Sequence, residues 1–388
     1  MVQRGLLNIP PLRLRVRNKS MKIVWRYISS SRNSYAALYA ACETAGYLLD
    51  PADEKEIQNA DVVCYSLNSL NYDVYAEEMR SLDAVVIAGG PHPSALYQEV
   101  LCDADYVVVG EGERALPLLL DALTNGADTS KIPGVASAAG YQQPDYMVRL
   151  DAYPSFSQMK GYIELSRGCP HNCGYCQTPR LHGHCMRHRS RESVVSLAKR
   201  YHDARFVTPN AFAYGSSDGL HPDCDKLERL LRSMPDNAVY LGTFPSEVRP
   251  EFVTAGTAEL VVQYCANKNL HFGAQSASDA VLSKLHRGHT VSAVWDALDI
   301  CRDFHLRPVV DVIFGFPFET DEDEEATLAL VKEVSRFGKV HVHYFSPLAG
   351  TPLFDAVPRE VLPEVDRELG RLALHSQVTG YWHPKRFD

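Results

Sequence analysis

This 388-residue chain is predicted to be an α/β protein in two successive parts. A doubly wound sheet comes first, then an open partial barrel of six βα units, then a short helical extension. Three observations carry that prediction. From residue 21 onward, short β-branched runs alternate with amphipathic stretches, the pattern of parallel sheets covered by helices. The alternation breaks once, over a turn-rich stretch at 127–158. It then resumes with a cysteine-bearing loop directly after the first strand of the new series.

Composition bounds the class. Hydrophobic residues make up 45% and charged residues 22%, as in globular chains. The length suits two ordinary domains. A net charge of −9 argues against a broad nucleic-acid surface, so no nucleic-acid partner is expected. No apolar run approaches the roughly 20 residues that span a bilayer. No apolar stretch precedes a small-residue cleavage site near the start. The expectation is a cytoplasmic protein without a membrane partner. In that setting ten cysteines point to metal or redox chemistry before disulfides.

The elements follow in order. Residues 1–20 carry Arg4, Arg13, Arg15, Arg17 and Lys19 without apolar periodicity and read as a basic arm. The first domain, 21–126, is predicted to hold strands over 22–27, 61–67, 84–88 and 106–109, and helices over 35–44, 73–81, 94–101 and 114–124. Continuous apolar strands such as Ala84-Val85-Val86-Ile87 fit burial on both faces. Residues 127–158 read as a linker. The second domain, 159–348, is predicted to hold strands over 162–165, 205–208, 238–244, 271–275, 309–314 and 340–345. Its helices fall at 192–202, 224–233, 250–267, 291–304 and 321–337, the last opened by the acidic run 321–325. Residues 349–388 form the C-terminal extension.

The loop Arg167-Gly168-Cys169-Pro170-His171-Asn172-Cys173-Gly174-Tyr175-Cys176 has C-x3-C-x2-C spacing. Cys169, Cys173 and Cys176 are the candidate metal ligands. Three thiolates converging from one tight loop suit an iron–sulfur cluster with one iron left open. A zinc site with His182, His184 or Cys185 as fourth ligand competes, but zinc ligands usually come as two distant pairs. A four-cysteine electron-transfer cluster would need Cys185.

The loop resembles the signature of the radical S-adenosylmethionine (SAM) superfamily, including the aromatic before its third cysteine. Three further stretches extend the resemblance in the same order. Phe272-Gly273-Ala274-Gln275-Ser276-Ala277-Ser278-Asp279, with Leu282 and His286-Arg287-Gly288-His289-Thr290, resembles a fourth-strand motif. Asp311-Val312-Ile313-Phe314-Gly315-Phe316-Pro317-Phe318-Glu319-Thr320 resembles a fifth-strand motif, with Phe318 where many members carry Gly. Gly350-Thr351-Pro352 resembles the turn after the sixth strand. The resemblance implies a 4Fe–4S cluster, SAM bound to its open iron, and an external electron donor. It implies SAM contacts from Gly174, Tyr175, Glu247, Gln275, Arg287 and Ile313. Glu247 and Gln275 also admit a plain reading as caps of neighbouring loops. The basic run 182–191 either steers an acidic or phosphate-bearing partner or forms a helix entry with Ser190 as N-cap.

The first domain is read from its strand-end loops, since ligands of doubly wound sheets lie beyond the carboxyl ends of the strands. These loops carry Ser29, Arg32 and Asn33; Ser66, Leu67 and Asn68; Gly89, Gly90, His92 and Ser94; and Gly110, Glu111 and Gly112. Before a radical SAM barrel they resemble the Rossmann-like cobalamin-binding domain of the cobalamin-dependent radical SAM enzymes. The D-x-H-x-x-G motif that supplies an axial histidine is absent from the first loop, and His92 reads as a loop contact. The resemblance implies a C-methyltransferase that forms a 5′-deoxyadenosyl radical and transfers the methyl of methylcobalamin to an unactivated sp3 carbon.

Cys176-Gln177-Thr178-Pro179-Arg180 with Arg187-His188-Arg189-Ser190 is similar to an archaeal subgroup. That likeness implies a protein substrate, with a glutamine of methyl-coenzyme M reductase as the leading candidate. A cyclase or rearrangement enzyme, or a methyltransferase of lipids or tetrapyrroles, shares the two-domain plan. A methylthiotransferase would need a second cluster in the first domain, where Cys42, Cys64 and Cys102 sit within predicted elements, and a C-terminal RNA-binding domain for which 349–388 is short. A non-catalytic cofactor carrier would not need the three-cysteine loop.

Overall fold

The computed structural model describes residues 21–144 and 146–384, so the basic arm at 1–20 lies outside the described residues. It divides into two compact units, Met1–Gly161 and Tyr162–Asp388.

In the first unit the chain runs β1 (Ile23–Arg26), α1 (Arg32–Thr44), β2 (Asp50–Ala52), β3 (Val62–Ser66), α2 (Tyr72–Ser81), β4 (Val85–Gly89), α3 (Pro91–Ala95), α4 (Tyr97–Val100), β5 (Tyr106–Val108), α5 (Gly112–Asn125), β6 (Val135–Ser137) and β7 (Gly140–Tyr141). These strands form one sheet ordered β2-β1-β3-β4-β5-β6-β7. The first five strands are parallel, and β6 and β7 are antiparallel. Adjacent residues alternate between two cores. Trp25, Cys64, Ile87 and Tyr106 enter one, and Val24, Val63, Val86 and Val107 enter the other. That is why these strands read as unbroken apolar runs. Strand order reverses at β1, with β2 on one side and β3 on the other, so a ligand crevice belongs at the ends of β1 and β3.

Two expectations differ from this structure, and one strand, β2, had not been expected. The stretch 127–158, read as a linker, supplies β6 and β7, a short hairpin that extends the sheet past β5. The helix predicted over 94–101 is two short helices, because Leu96 leaves helical dihedrals at φ −124 and ψ 40. Strand β2 is three residues containing Pro51, tolerable because it is the sheet edge.

The second unit contains β8 (Ile163–Glu164), β9 (Ser166–Arg167), α6 (Thr178–His182), β10 (Arg187–His188), α7 (Arg191–Ala198), β11 (Asp203–Val207), α8 (Cys224–Arg232), β12 (Ala238–Tyr240), α9 (Ala255–Tyr264), β13 (Asn269–Gln275), α10 (Asp279–Lys284), α11 (Val291–Asp303), β14 (Arg307–Phe314), α12 (Asp321–Val334), β15 (Lys339–Tyr344), α13 (Pro363–Leu374) and β16 (Val378–Gly380). Parallel strands run β8-β11-β12 and β13-β14-β15-β16. Backbone hydrogen bonds join the two sets: Ala266 N–H donates to Val239 O and His271 N–H to Gly242 O, both at 2.7 Å. The strand series therefore does not end at the sixth strand, since β16 from the C-terminal extension adds beyond β15.

Side-chain alternation sorts the strands' faces. Val310, Val312 and Phe314 are fully buried on one face of β14, and Asp311 and Ile313 lie on the other. The helix expected over 250–267 starts late. Residues 250–252 form a 3-10 turn, and Thr254 and Thr257 close a capping box on α9. Among the described residues no helix is long and apolar enough to cross a membrane.

Candidate active site

The cysteine loop is pinned at its base. Strands β9 and β10 pair antiparallel on either side of it, Arg187 opposite Arg167 and His188 opposite Ser166. Cys169 N–H donates to Gly183 O at 3.1 Å. Gly168 has φ +85, and a Cβ there would lie 2.2 Å from Cys185 O, so only glycine fits this close crossing. Beneath the hairpin, Glu164 accepts from Arg167 at 2.7 Å and from Arg189 at 3.3 Å, all three side chains being largely buried. Burial alone would raise the Glu164 pKa; the two guanidinium groups outweigh it and hold the carboxyl below its ordinary range. Inside the loop, Arg180 donates to the carbonyls of Cys173 (3.2 Å) and Cys176 (3.3 Å), and Gln177 donates to Ala349 O at 2.9 Å.

This clamp presents all three cysteines to one cavity of about 210 Å³. Cys173 is buried, while Cys169 and Cys176 are half-buried. Burial pushes the Cys169 thiol up. Two guanidinium groups approach Cys173 Sγ, Arg287 at 3.6 Å and Arg249 at 3.9 Å. Arg287 also donates to Gly273 O at 2.9 Å. Among the described residues, Cys185 does not line the cavity; it is exposed, in the turn against Gly168. A set of three converging thiols backed by buried cations fits a cluster carried on three cysteines.

On the opposite wall the β-ladder is interrupted. The register of β13 against β14 shifts between Gly273 and Gln275, and Gln275 takes φ +70, a strained value for a side chain of its size. Its amide folds back over Gly273, where a Cβ would sit 2.1 Å from Nε2. Its Oε1 is buried without a hydrogen-bond partner. The strained backbone and the orphaned acceptor of Gln275 together mark a prepared binding position, which fits a polar ligand such as SAM. The floor carries Glu247 and Asp311. His271 bonds Asp311 at 2.8 Å through Nε2 and lies 3.9 Å from Glu247 through Nδ1. Burial lifts the Glu247 carboxyl above its ordinary value, with the nearby Asp311 adding to it.

Of the six residues read as SAM contacts, Tyr175, Glu247, Gln275 and Arg287 line the cavity. Gly174 and Ile313 do not. Gly174 N–H donates to Leu285 O at 2.8 Å, and Ile313, on the same face of β14 as Asp311, packs with Phe316 and Phe345. Arg249, Asp311 and His171 also line the cavity and were not singled out from sequence. Arg249 had a signal, since it lies two residues after Glu247 and so on the same side of an extended segment. For the basic run 182–191 the structure favours the helix entry. Ser190 Oγ caps α7 by accepting from Ser193 N–H, and Arg189 is spent on Glu164.

In the first unit, Ser66, Gly89, Gly90, Gly110 and Gly112 line a narrow slot of about 40 Å³. Trp25, Leu38, Cys64, Tyr65, Ile87, Val108 and Leu116 complete it. Gly90 has φ +100, and a Cβ there would lie 2.5 Å from Leu67 O. Trp25 Nε1 is buried without a partner. An apolar, glycine-rimmed slot with a buried unpartnered indole N–H fits a flat aromatic tail, as a cobalamin tail would offer. Ser94 Oγ braces the rim by accepting from Gly110 N–H at 2.9 Å, and Leu67 N–H donates to Gly89 O. Glu111 Oε2 accepts from Val148 N–H, and Asn68 closes a turn with Leu70 and Asn71. His92 is buried and stacked on Tyr72 at 4.2 Å, with Nδ1 3.2 Å from Ser69 Oγ. Ser29, Arg32 and Asn33 do not line the slot, and Arg32 bonds Lys160 O.

Comparison with known proteins agrees with this geometry. A tRNA-2-methylthio-N(6)-dimethylallyladenosine synthase of Geobacter sulfurreducens is 29% identical over 280 residues, 64% of this chain and 60% of that protein. The chain spans about half to three-fifths of the length of the first such relatives it matches. Among solved structures, the radical SAM methyltransferase TsrM from Kitasatospora setae, with cobalamin and a 4Fe–4S cluster bound, superposes with TM-score 0.66 at 17% identity, covering 86% of this chain and 74% of that one. The cobalamin-dependent SAM radical enzyme OxsB, with aqua-cobalamin bound, gives 0.64 at 13% identity over 92% of this chain and 58% of that one. These two are likenesses of fold. Residues 163–331 match the Radical SAM superfamily model, a span that contains the clamped three-cysteine loop and every residue lining its cavity: the chain carries a radical SAM domain.

Proposed function

We propose that this chain is a cobalamin-dependent radical SAM C-methyltransferase acting on an unactivated sp3 carbon. The observation that carries the proposal is the pairing, in one chain, of a three-cysteine cavity with a glycine-rimmed slot at the strand ends of a doubly wound sheet. Cys169, Cys173 and Cys176 would hold the cluster. Gln275 and Arg287 would orient SAM, and Ser66, Gly89, Gly90, Gly110 and Gly112 would seat cobalamin. When bound, the cluster supplies the electron that cleaves SAM to a 5′-deoxyadenosyl radical, and cobalamin carries the methyl group. The chain's own residues position these groups: Arg287 by a buried cation, Gln275 by its unused acceptor, Glu247 by a half-buried carboxylate. A protein residue is the proposed substrate, with a glutamine of methyl-coenzyme M reductase first on the resemblance of 176–180 and 187–190.

A methylthiotransferase reading is favoured by the names of the sequence relatives. Against it, Cys42 and Cys64 are packed in the first unit's core and Cys102 is exposed, so these three do not share a cavity among the described residues. Mass spectrometry separates the two readings. The reconstituted chain is given SAM, cobalamin, a reductant and either a glutamine-containing reductase peptide or tRNA. A methyl gain on the peptide, with both 5′-deoxyadenosine and S-adenosylhomocysteine formed, supports the proposal. A methylthio gain on tRNA adenosine overturns it.

A further inference from the structure

Arg249 stands where nothing in the SAM-binding scheme requires it. It is 5% exposed, and its three guanidinium nitrogens have separate tasks. Nε donates to Glu251 Oε1 at 2.6 Å, Nη2 donates to the Arg287 carbonyl, and Nη1 faces Cys173 Sγ at 3.9 Å. The planar fork is thus fixed at two points and aims its third at one thiol. Glu251 is itself held in an unusual way. Its Oε2 is buried without a hydrogen-bond partner, 3.6 Å from His289 Nδ1, which is also unpartnered. His289 Nε2 faces Ala274 O at 3.3 Å, so Nε2 carries the proton and Nδ1 turns a lone pair toward Oε2. Two acceptors left face to face in a buried site cost stability, and such costs persist where the arrangement has a use.

We infer that Arg249, oriented by Glu251, is a positioning residue that sets the reduction potential of the cluster carried on Cys173. The inference rests on the iron–sulfur reading above. One electron enters from a low-potential one-electron donor, no bond forms or breaks, and the cluster-thiolate unit becomes one charge more negative. A buried cation less than 4 Å from a ligand sulfur stabilises the more negative state, in a setting where charges are weakly screened. Arg249 and Glu251 act with opposite sign: the guanidinium raises the potential and the carboxylate lowers it.

The test is a potentiometric titration of the full reconstituted chain without SAM, followed by electron paramagnetic resonance. Arg249→Gln is expected to shift the midpoint to more negative potential. Arg249→Lys keeps the charge but not the fork and is expected to fall between it and wild type. Glu251→Gln is expected to shift the midpoint to more positive potential. It is also the variant most secure in folding, because its new amide N–H donates to His289 Nδ1 while Oε1 still accepts from Arg249. A merely structural role would not move the two sites in opposite directions. Unmoved potentials, or shifts of the same sign, overturn the proposal alone. Failure of the wild-type chain to assemble any cluster overturns the reading on which it rests as well.

Discussion

The slot of the first unit and the cavity of the second are built by opposite means. The slot is made by leaving side chains out. Its rim is Gly89, Gly90, Gly110 and Gly112, its walls are mostly apolar, and Trp25 Nε1 is buried there without a partner. The cavity is made by placing charge: three thiols, two buried guanidinium groups, two carboxylates and the strained Gln275. A glycine-rimmed slot receives a rigid preformed body by shape and backbone contact. A charged cavity binds a polar ligand and holds it where electrons move. Damage to one should therefore leave the other intact, and that separability is what the following variants test.

Cys173→Ala should have the largest effect. Iron content and 5′-deoxyadenosine formation are expected to be lost, while cobalamin retention measured by absorbance is unchanged. Loss of both together would break the comparison. Glu164→Ala comes next. It leaves Arg167 and Arg189 as buried unpaired cations under the cysteine clamp, an expected loss of about 3–5 kcal/mol by denaturant unfolding. Gly90→Ala meets both a positive φ and Leu67 O at 2.5 Å, an expected cost of about 1–3 kcal/mol with weakened cobalamin binding and normal iron.

The smallest effect is a pH dependence at the cavity floor. Burial pulls the His271 pKa down, and the Asp311 hydrogen bond more than reverses this, so it lies above the ordinary 6.5. Because the folded value is raised, the pair's contribution is full below pH 6.5 and is lost as pH rises through the raised value. His271→Gln should remove that slope from thermal unfolding between pH 6 and 9, at a cost of about 1 kcal/mol on the acid side.

The two regions also differ in how far they were legible. The cysteine loop was readable because its ligands lie within eight consecutive residues, and local spacing states the chemistry. The glycine loops were readable as strand ends, but not which residues shape the slot: Ser29 and Arg32 follow β1 as expected, yet point elsewhere. Arg249 escaped because its partner Cys173 is 76 residues away, brought near only by the fold. The basic run 182–191 displayed its charges but hid their use, since Arg189 pairs with Glu164 across 25 residues. The stretch 127–158 read as a linker because β6 and β7 are too short to show a period, and their pairing with β5 depends on where the chain turns.

The most direct test of the central claim is an anaerobic reconstitution of the full chain, with iron and sulfide quantified and SAM then added with a reductant. The account requires about four irons per chain and release of 5′-deoxyadenosine that disappears in Cys173→Ala. A chain that takes up zinc in place of iron, or carries its full iron yet leaves SAM intact, would contradict it.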